Sequence, residues 1–196
     1  MTRNAKIERK TRETDICIDL SIDGTGKGDI DTGIPFMDHM LTLMAAHGFM
    51  DLKISARGDT DVDYHHTVED LGICLGKAIG KILGEKKGIR RYGQAMVPMD
   101  EALSRVVIDI SNRPYLAYRV SSDNTRAGLF DISLLEEFFR ALVINAGITM
   151  HCDLISGKDA HHISESIFKA FGRAVDDATE IEDRLDGDSP STKGTL

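Results

Sequence analysis

The residues best equipped for chemistry in this 196-residue chain fall in a pattern that occurs twice, His65-His66-Thr67-Val68-Glu69 and His161-His162-Ile163-Ser164-Glu165. Four of the seven histidines sit in these two pairs. The register continues beyond them, because Leu75-Gly76-Lys77-Ala78 aligns with Phe171-Gly172-Arg173-Ala174 at the same offset, and this marks an internal duplication. On a helix, a residue shares its face with those three and four positions further on. Glu69 therefore reaches the side of His65 or His66, and Glu165 that of His161 or His162. Adjacent histidines diverge by about 100°, so each pair can serve two different metal ions. Neutral imidazole and carboxylate are the donors that N/O-preferring divalent ions take. A duplicated helix with a purely structural role would repeat its apolar positions, whereas here the imidazoles and the carboxylate are repeated too. The pattern points to a dinuclear metal site, with a first-turn Glu offsetting the positive end of each helix dipole.

The elements that must hold these residues follow from periodicity. Ile16, Ile18, Leu20 and Ile22 alternate with polar residues and end at Asp23-Gly24-Thr25-Gly26, a strand and a turn. A second strand is expected over Gly28 to Ile34, a helix over Phe36 to Ala46 closed by His47-Gly48, and a strand through Leu52, Ile54 and Ala56. The loop from Gly58 to Asp63 then leads into the first His-His helix. The second half repeats the order: Val106 to Ile110, a turn at Asn112-Arg113-Pro114, Tyr115 to Val120, a helix from Ser133 to Asn145, a strand from Thr149 to Ile155 and the second His-His helix. A ββαβα order used twice implies an α+β fold, internally duplicated, with helices packed on one face of each sheet. The two half-repeats span 1–90 and 91–196 and form one duplicated domain, joined near the Lys- and Gly-rich stretch Gly84 to Arg91. The tail from Asp186 to Leu196 reads as disordered on composition.

His39 lies early in the first-half helix, and the equivalent stretch of the second half carries Glu136 and Glu137, so each half offers one more N or O ligand. His47 reads as a helix-end residue that complements the dipole. His151 sits in a strand and has a minor claim on the site. The net charge of -8 excludes a general nucleic-acid binder, for which a basic stripe is expected. No apolar run reaches the length of a membrane span. The polar start Met1-Thr2-Arg3-Asn4-Ala5-Lys6 reads as no secretory signal. Cys17, Cys74 and Cys152 lack CxxC spacing and read as small packing residues in a reduced, cytoplasmic setting.

Several strings taken together resemble one family: Gly33-Ile34-Pro35-Phe36-Met37-Asp38-His39-Met40-Leu41, His47-Gly48, His65-His66-Thr67-Val68-Glu69-Asp70, His161-His162 with Glu165 and Phe168-Lys169-Ala170, and Pro190-Ser191-Thr192-Lys193-Gly194. In order over nearly the whole chain, they resemble the imidazoleglycerol-phosphate dehydratases of histidine biosynthesis in their single-function form. The resemblance implies a duplicated fold of the ribosomal protein S5 domain 2-like type and two Mn²⁺ ions per active site. It also implies a homo-oligomer of twenty-four subunits, with active sites where subunits meet. Carried over by position, the metal ligands are His39, His65, His66 and Glu69 in the first half and His161, His162 and Glu165 in the second. Glu137 is the eighth, standing where many relatives have histidine, a change that alters site charge and metal preference. The resemblance also points to Arg91, Arg113, Lys169, Ser191 and Lys193 for the phosphate end, and to Glu13 and Glu165 as catalytic carboxylates, with Glu13 handling a proton near the substrate.

The implied reaction converts imidazole glycerol phosphate to imidazole acetol phosphate and water. The proton to be lost sits on a carbon with no adjacent carbonyl, so the substrate's own imidazole must act as the electron reservoir, stabilised by divalent ions at its ring nitrogens. Expulsion of the hydroxyl from the attached carbon acidifies the next carbon, and a base takes the proton there. On a helix, Lys169 lies two turns beyond His162, about 10 Å along the axis, a spacing suited to a substrate with imidazole at one end and phosphate at the other. A metal-dependent hydrolase and a non-catalytic metal-binding protein are the rival classes. The phosphate-directed cations argue against the first, and the interleaved strands against the second.

Overall fold

The computed structural model describes residues 3–193; Met1 and Thr2, and Gly194 at the end of the tail motif, lie outside them. Alternation drives the strands as expected. Ile16, Ile18 and Leu20 are fully buried while Asp15 before them and Asp19 among them face outward. The first half runs β1 (Asn4–Lys10), β2 (Thr14–Ser21), β3 (Gly28–Asp31), α1 (Pro35–His47), β4 (Asp51–Gly58) and α2 (His65–Leu83). In the second half β5 (Tyr92–Met99), β6 (Ala102–Ile110) and β7 (Tyr115–Arg119) are followed by a small hairpin, β8 (Arg126–Ala127) and β9 (Phe130–Asp131). Then come α3 (Leu134–Ala146), β10 (Ile148–Ser156) and α4 (Ala160–Thr179).

The two sheets have the same topology, β1-β2-β4-β3 and β5-β6-β10-β7. In each, the last pair is parallel, β3 with β4 and β7 with β10, and the other pairs are antiparallel. A parallel pair needs a crossover, which α1 supplies in the first half and α3 in the second. The ββαβα order therefore stands, and each half adds one opening strand, β1 or β5. Both are edge strands. Lys6, Glu8 and Lys10 face out of β1, and β5 carries Pro98, which an edge tolerates, so neither shows a strong apolar alternation. β3 is shorter than its expected span because Thr32 donates both its N–H and its hydroxyl to Asp38, and Gly33 adopts φ +75°, which ends the ladder and opens α1.

Each half lays its helices on the inner face of its own sheet, and the halves join through those helices, α2 along α3 and α1 along α4. The crossings are backbone to backbone. A Cβ on Gly72 would fall 2.4 Å from the Phe138 carbonyl oxygen, one on Gly76 2.4 Å from that of Leu142, and one on Gly172 2.4 Å from that of Met44. Gly76 and Gly172 are the duplicated glycines of the sequence register. Between α3 and α4, Phe138, Phe139, Phe168 and Phe171 form a fully buried aromatic cluster with ring centroids 5.1–5.6 Å apart.

The cysteines are free. Burial pushes the thiols of Cys74 and Cys152 up to about 11 and about 12, which suits inert packing residues. Among the described residues no helix is long and apolar enough to cross a membrane. Two segments depart from their expected character. Lys86, in the Lys- and Gly-rich join whose composition suits a solvated surface, is buried and donates to Asn112 Oδ1 and to the carbonyls of Ala146 and Gly147, closing α3. The described part of the tail packs back on the join, with the Asp188 carbonyl accepting from Gly88 N–H and the Pro190 carbonyl from Arg91.

Candidate metal centre

Helix starts place the histidine pairs. Asp159 caps α4 by accepting the N–H groups of both His161 and His162, and Asp63 accepts that of His65 at the start of α2. Behind each pair, a polar residue pins the helix to its sheet. Asp70 accepts from Arg9 and Thr14, and the Ser166 hydroxyl meets that of Ser104 at 2.7 Å.

The α1–α4 crossing brings His39, His161 and Glu165 together. Glu165 Oε1 lies 3.1 Å from His39 Nε2 and 3.0 Å from His161 Nε2, and the three donor atoms fall within 4.8 Å of one another. Two imidazole nitrogens and a carboxylate oxygen converging this closely are a fitting partial shell for an N/O-preferring divalent ion. Lys169 Nζ reaches back one turn to Glu165 Oε2 at 2.6 Å instead of extending away along the helix, as helical side chains lean toward the N-terminus. Burial alone would raise the Glu165 pKa, but the ammonium and the two imidazoles outweigh it and hold the carboxyl at about 2. Phe36 stands edge-on to the His161 ring and stacks on Phe130, which the hairpin delivers and which also stacks on Tyr64.

The duplication maps this cluster onto the other crossing. Glu165 and His161 precede Gly172 by seven and eleven residues, as Glu69 and His65 precede Gly76. His39 precedes Met44 by five residues, as Glu137 precedes Leu142. Glu137 is thus the counterpart of His39, and the second set is one imidazole with two carboxylates. In that set His65 Nε2 lies 4.0 Å from Glu69 Oε2, while the Glu137 carboxylate leans toward Arg140 at 3.9 Å.

His66 and His162 turn away from their neighbours, their rings nearly perpendicular to those of His65 and His161 with centroids 6.1 and 6.4 Å apart. Each meets a carboxylate through Nδ1, His66 with Asp59 at 3.0 Å and His162 with Glu101 at 2.7 Å. These hydrogen bonds are the leading cause of a raised pKa at both imidazoles. Sequence reasoning missed Asp59 and Glu101. They occupy unmatched places, the loop after β4 and the β5–β6 turn, so the duplicated register carries no trace of them. Glu13 lies on the β1–β2 turn, where its carbonyl accepts from Asp59 N–H at 3.1 Å and its charge helps raise His66. It belongs to the His66 end of the molecule.

Four of the cations and donors expected at a phosphate, Arg91, Arg113, Ser191 and Lys193, line one cavity of about 580 Å³ with Tyr92, Pro190 and Thr192. Arg91 pairs with Asp109 at 2.7 Å, and Arg113 approaches the same carboxylate at 3.4 Å. Lys169 stands apart from them, at Glu165. His47 ends α1, with its pKa lowered by burial, and His151 faces out of β10 beside Arg119.

The chain matches the family model described as imidazoleglycerol-phosphate dehydratase over residues 32–175. It is 56% identical over 194 residues to the imidazoleglycerol-phosphate dehydratase of Syntrophobacter fumaroxidans, covering 99% of this chain and 98% of the relative. It is 55% identical to that of Geobacter sulfurreducens over the full length of both. Among solved structures, the Staphylococcus aureus enzyme superimposes with a TM-score of 0.82 at 44% identity, covering 91% of this chain and 99% of that one. The Pyrococcus furiosus enzyme, in complex with (S)-C348, gives 0.84 at 40% identity, covering 97% and 100%.

Proposed function

The chain belongs to the imidazoleglycerol-phosphate dehydratase family, the hydro-lyases of histidine biosynthesis, and from that premise we propose a metal-dependent reaction at sites completed between copies of the chain. Water is lost from imidazole glycerol phosphate to give imidazole acetol phosphate. The observation that carries the proposal is the convergence of His39, His161 and Glu165, from two different helices, on one ion-sized space.

His39, His161 and Glu165 would hold one ion, and His65, Glu69 and Glu137 its counterpart. His66 and His162, turned outward, would ligate ions held by neighbouring copies. Bound Mn²⁺, or another divalent ion, supplies Lewis acidity to the substrate's imidazole. The protein's own groups do the rest. Lys169 keeps Glu165 ionised at working pH. Glu13 takes the proton from the carbon beside the one that loses its hydroxyl. Arg91, Arg113, Ser191 and Lys193 grip the phosphate, with Lys169 adding charge toward it.

Distance supports a shared site. Arg91 N–H donates to the Ala178 carbonyl at the end of α4, while His161 stands at its start. Seventeen helical residues separate the two, about 25 Å at 1.5 Å per residue. The substrate reaches roughly 10 Å at about 1.5 Å per bond. One copy's phosphate cavity therefore serves another copy's metals, in line with the homo-oligomer of twenty-four subunits. A phosphorylated intermediate as substrate also suits the cytoplasm. The test is conversion of imidazole glycerol phosphate to the ketone product by parent, His66→Ala and His162→Ala proteins, with Mn²⁺ and with chelator. Product from the Mn²⁺-loaded parent alone is expected. No product from a parent that still binds metal would overturn the proposal.

A further inference from the structure

Glu101 holds the end of β5–β6 against the start of α4 with a division of labour between its two oxygens. Oε1 accepts the backbone N–H groups of Lys158 and Asp159 at 3.2 and 2.9 Å, and Oε2 meets His162 Nδ1 at 2.7 Å. The side chain is thereby fixed at three points, and it must receive a proton from Nδ1, since a carboxylate is an acceptor only. The other ring nitrogen is left with its lone pair. Asp100 Oδ2 lies 3.8 Å from that Nε2, beyond hydrogen-bond reach but near enough to favour a cation there. In the first half the same task falls to Asp59, whose Oδ2 meets His66 Nδ1. Asp59 stands on a different element, and its Oδ1 is buried with no donor among the described residues. A duplicated chain has thus arrived at carboxylate–imidazole pairs from two non-equivalent positions, which is what a requirement on the imidazole, as distinct from inheritance of a packing contact, would leave behind.

We propose that Glu101 is a positioning residue that fixes the tautomer of His162, with the proton on Nδ1 and Nε2 presented as a metal donor, and that Asp59 does the same for His66. The inference rests on the metal reading of the proposed function. Outer partners of this kind orient metal-binding histidines and typically change metal affinity 10–100-fold when lost.

Glu101→Gln and Glu101→Ala separate this role from a structural one. In the Gln variant the two backbone N–H donors keep the amide oxygen facing Lys158 and Asp159, so the NH₂ faces His162. That reverses the hydrogen bond, moving the ring proton to Nε2 and blocking the donor. In the Ala variant His162 is free to choose. Mn²⁺ binding is measured by electron paramagnetic resonance of the free ion on the full chain in its native assembly, beside thermal unfolding without metal. The expected result is Mn²⁺ affinity lowered about 10–100-fold at the affected sites in Glu101→Gln, less in Glu101→Ala, with the Ala variant the less heat-stable of the two. Parent-like binding in Glu101→Gln, or affinity loss that follows heat stability, would overturn the inference and leave Glu101 a strut. A parent that binds no Mn²⁺ would overturn the metal reading and this inference with it.

Discussion

Glu165 accepts from His39 and His161 through one oxygen and from Lys169 through the other, so a buried carboxyl is held ionised by three neighbours. This has a pH signature. Its folded pKa of about 2 lies below the ordinary 4.5, so the group stabilises the fold above 4.5 and that contribution fades as pH falls toward 2. In chelator, the unfolding temperatures of parent and Glu165→Gln proteins should differ most above pH 4.5 and converge below it. A gap that stays constant through that range would contradict the assignment. Glu137 is the other residue on which the site's character turns. It puts a second carboxylate where the first cluster has an imidazole, so the two clusters differ in charge.

At the level of elements, the site depends on how closely helices of the two halves approach. Gly76 has no room for a side chain against the Leu142 carbonyl. Alanine there would gain up to about 1 kcal/mol of helix propensity but overpack a backbone contact at a cost of about 1–3 kcal/mol. Gly76→Ala should therefore lower the unfolding temperature by a few degrees, read by calorimetry; an unchanged or raised temperature would show that the crossing is looser than described. The duplicated glycines were legible in the sequence as part of the repeat, as were the four helices and the strands with clear alternation. The opening strands β1 and β5 were not, because charge and proline mask their pattern. Of the site, the repeated His-His-x-x-Glu strings are visible in the chain itself. Asp59, Glu101 and the Phe36–Phe130–Tyr64 stack depend on contacts between distant segments that leave no spacing to read. Lys169 was read as a cation for the phosphate end, about 10 Å along the helix from His162; its turn back to Glu165 was not legible.

At the scale of the molecule, the fold is two copies of one unit joined through their helices, and this symmetry sends the His39–His161–Glu165 cluster and its counterpart to separate crossings and leaves the cavity lined by Arg91, Arg113 and Lys193 at the far end of α4. On the proposed function, one small substrate cannot span the metal ligands and the phosphate-binding residues of a single copy, and the proposal therefore makes activity a property of the assembly. The most direct test is complementation between two damaged chains. One carries His161→Ala, which removes a metal ligand; the other carries Arg113→Ala with Lys193→Ala, which weakens the phosphate cavity. Each alone should turn over little or no imidazole glycerol phosphate, and mixed assemblies formed by refolding the two together should recover a substantial fraction of the parent rate. Mixed assemblies that contain both chains yet stay inactive, or full activity in an isolated parent monomer, would contradict a site shared between copies.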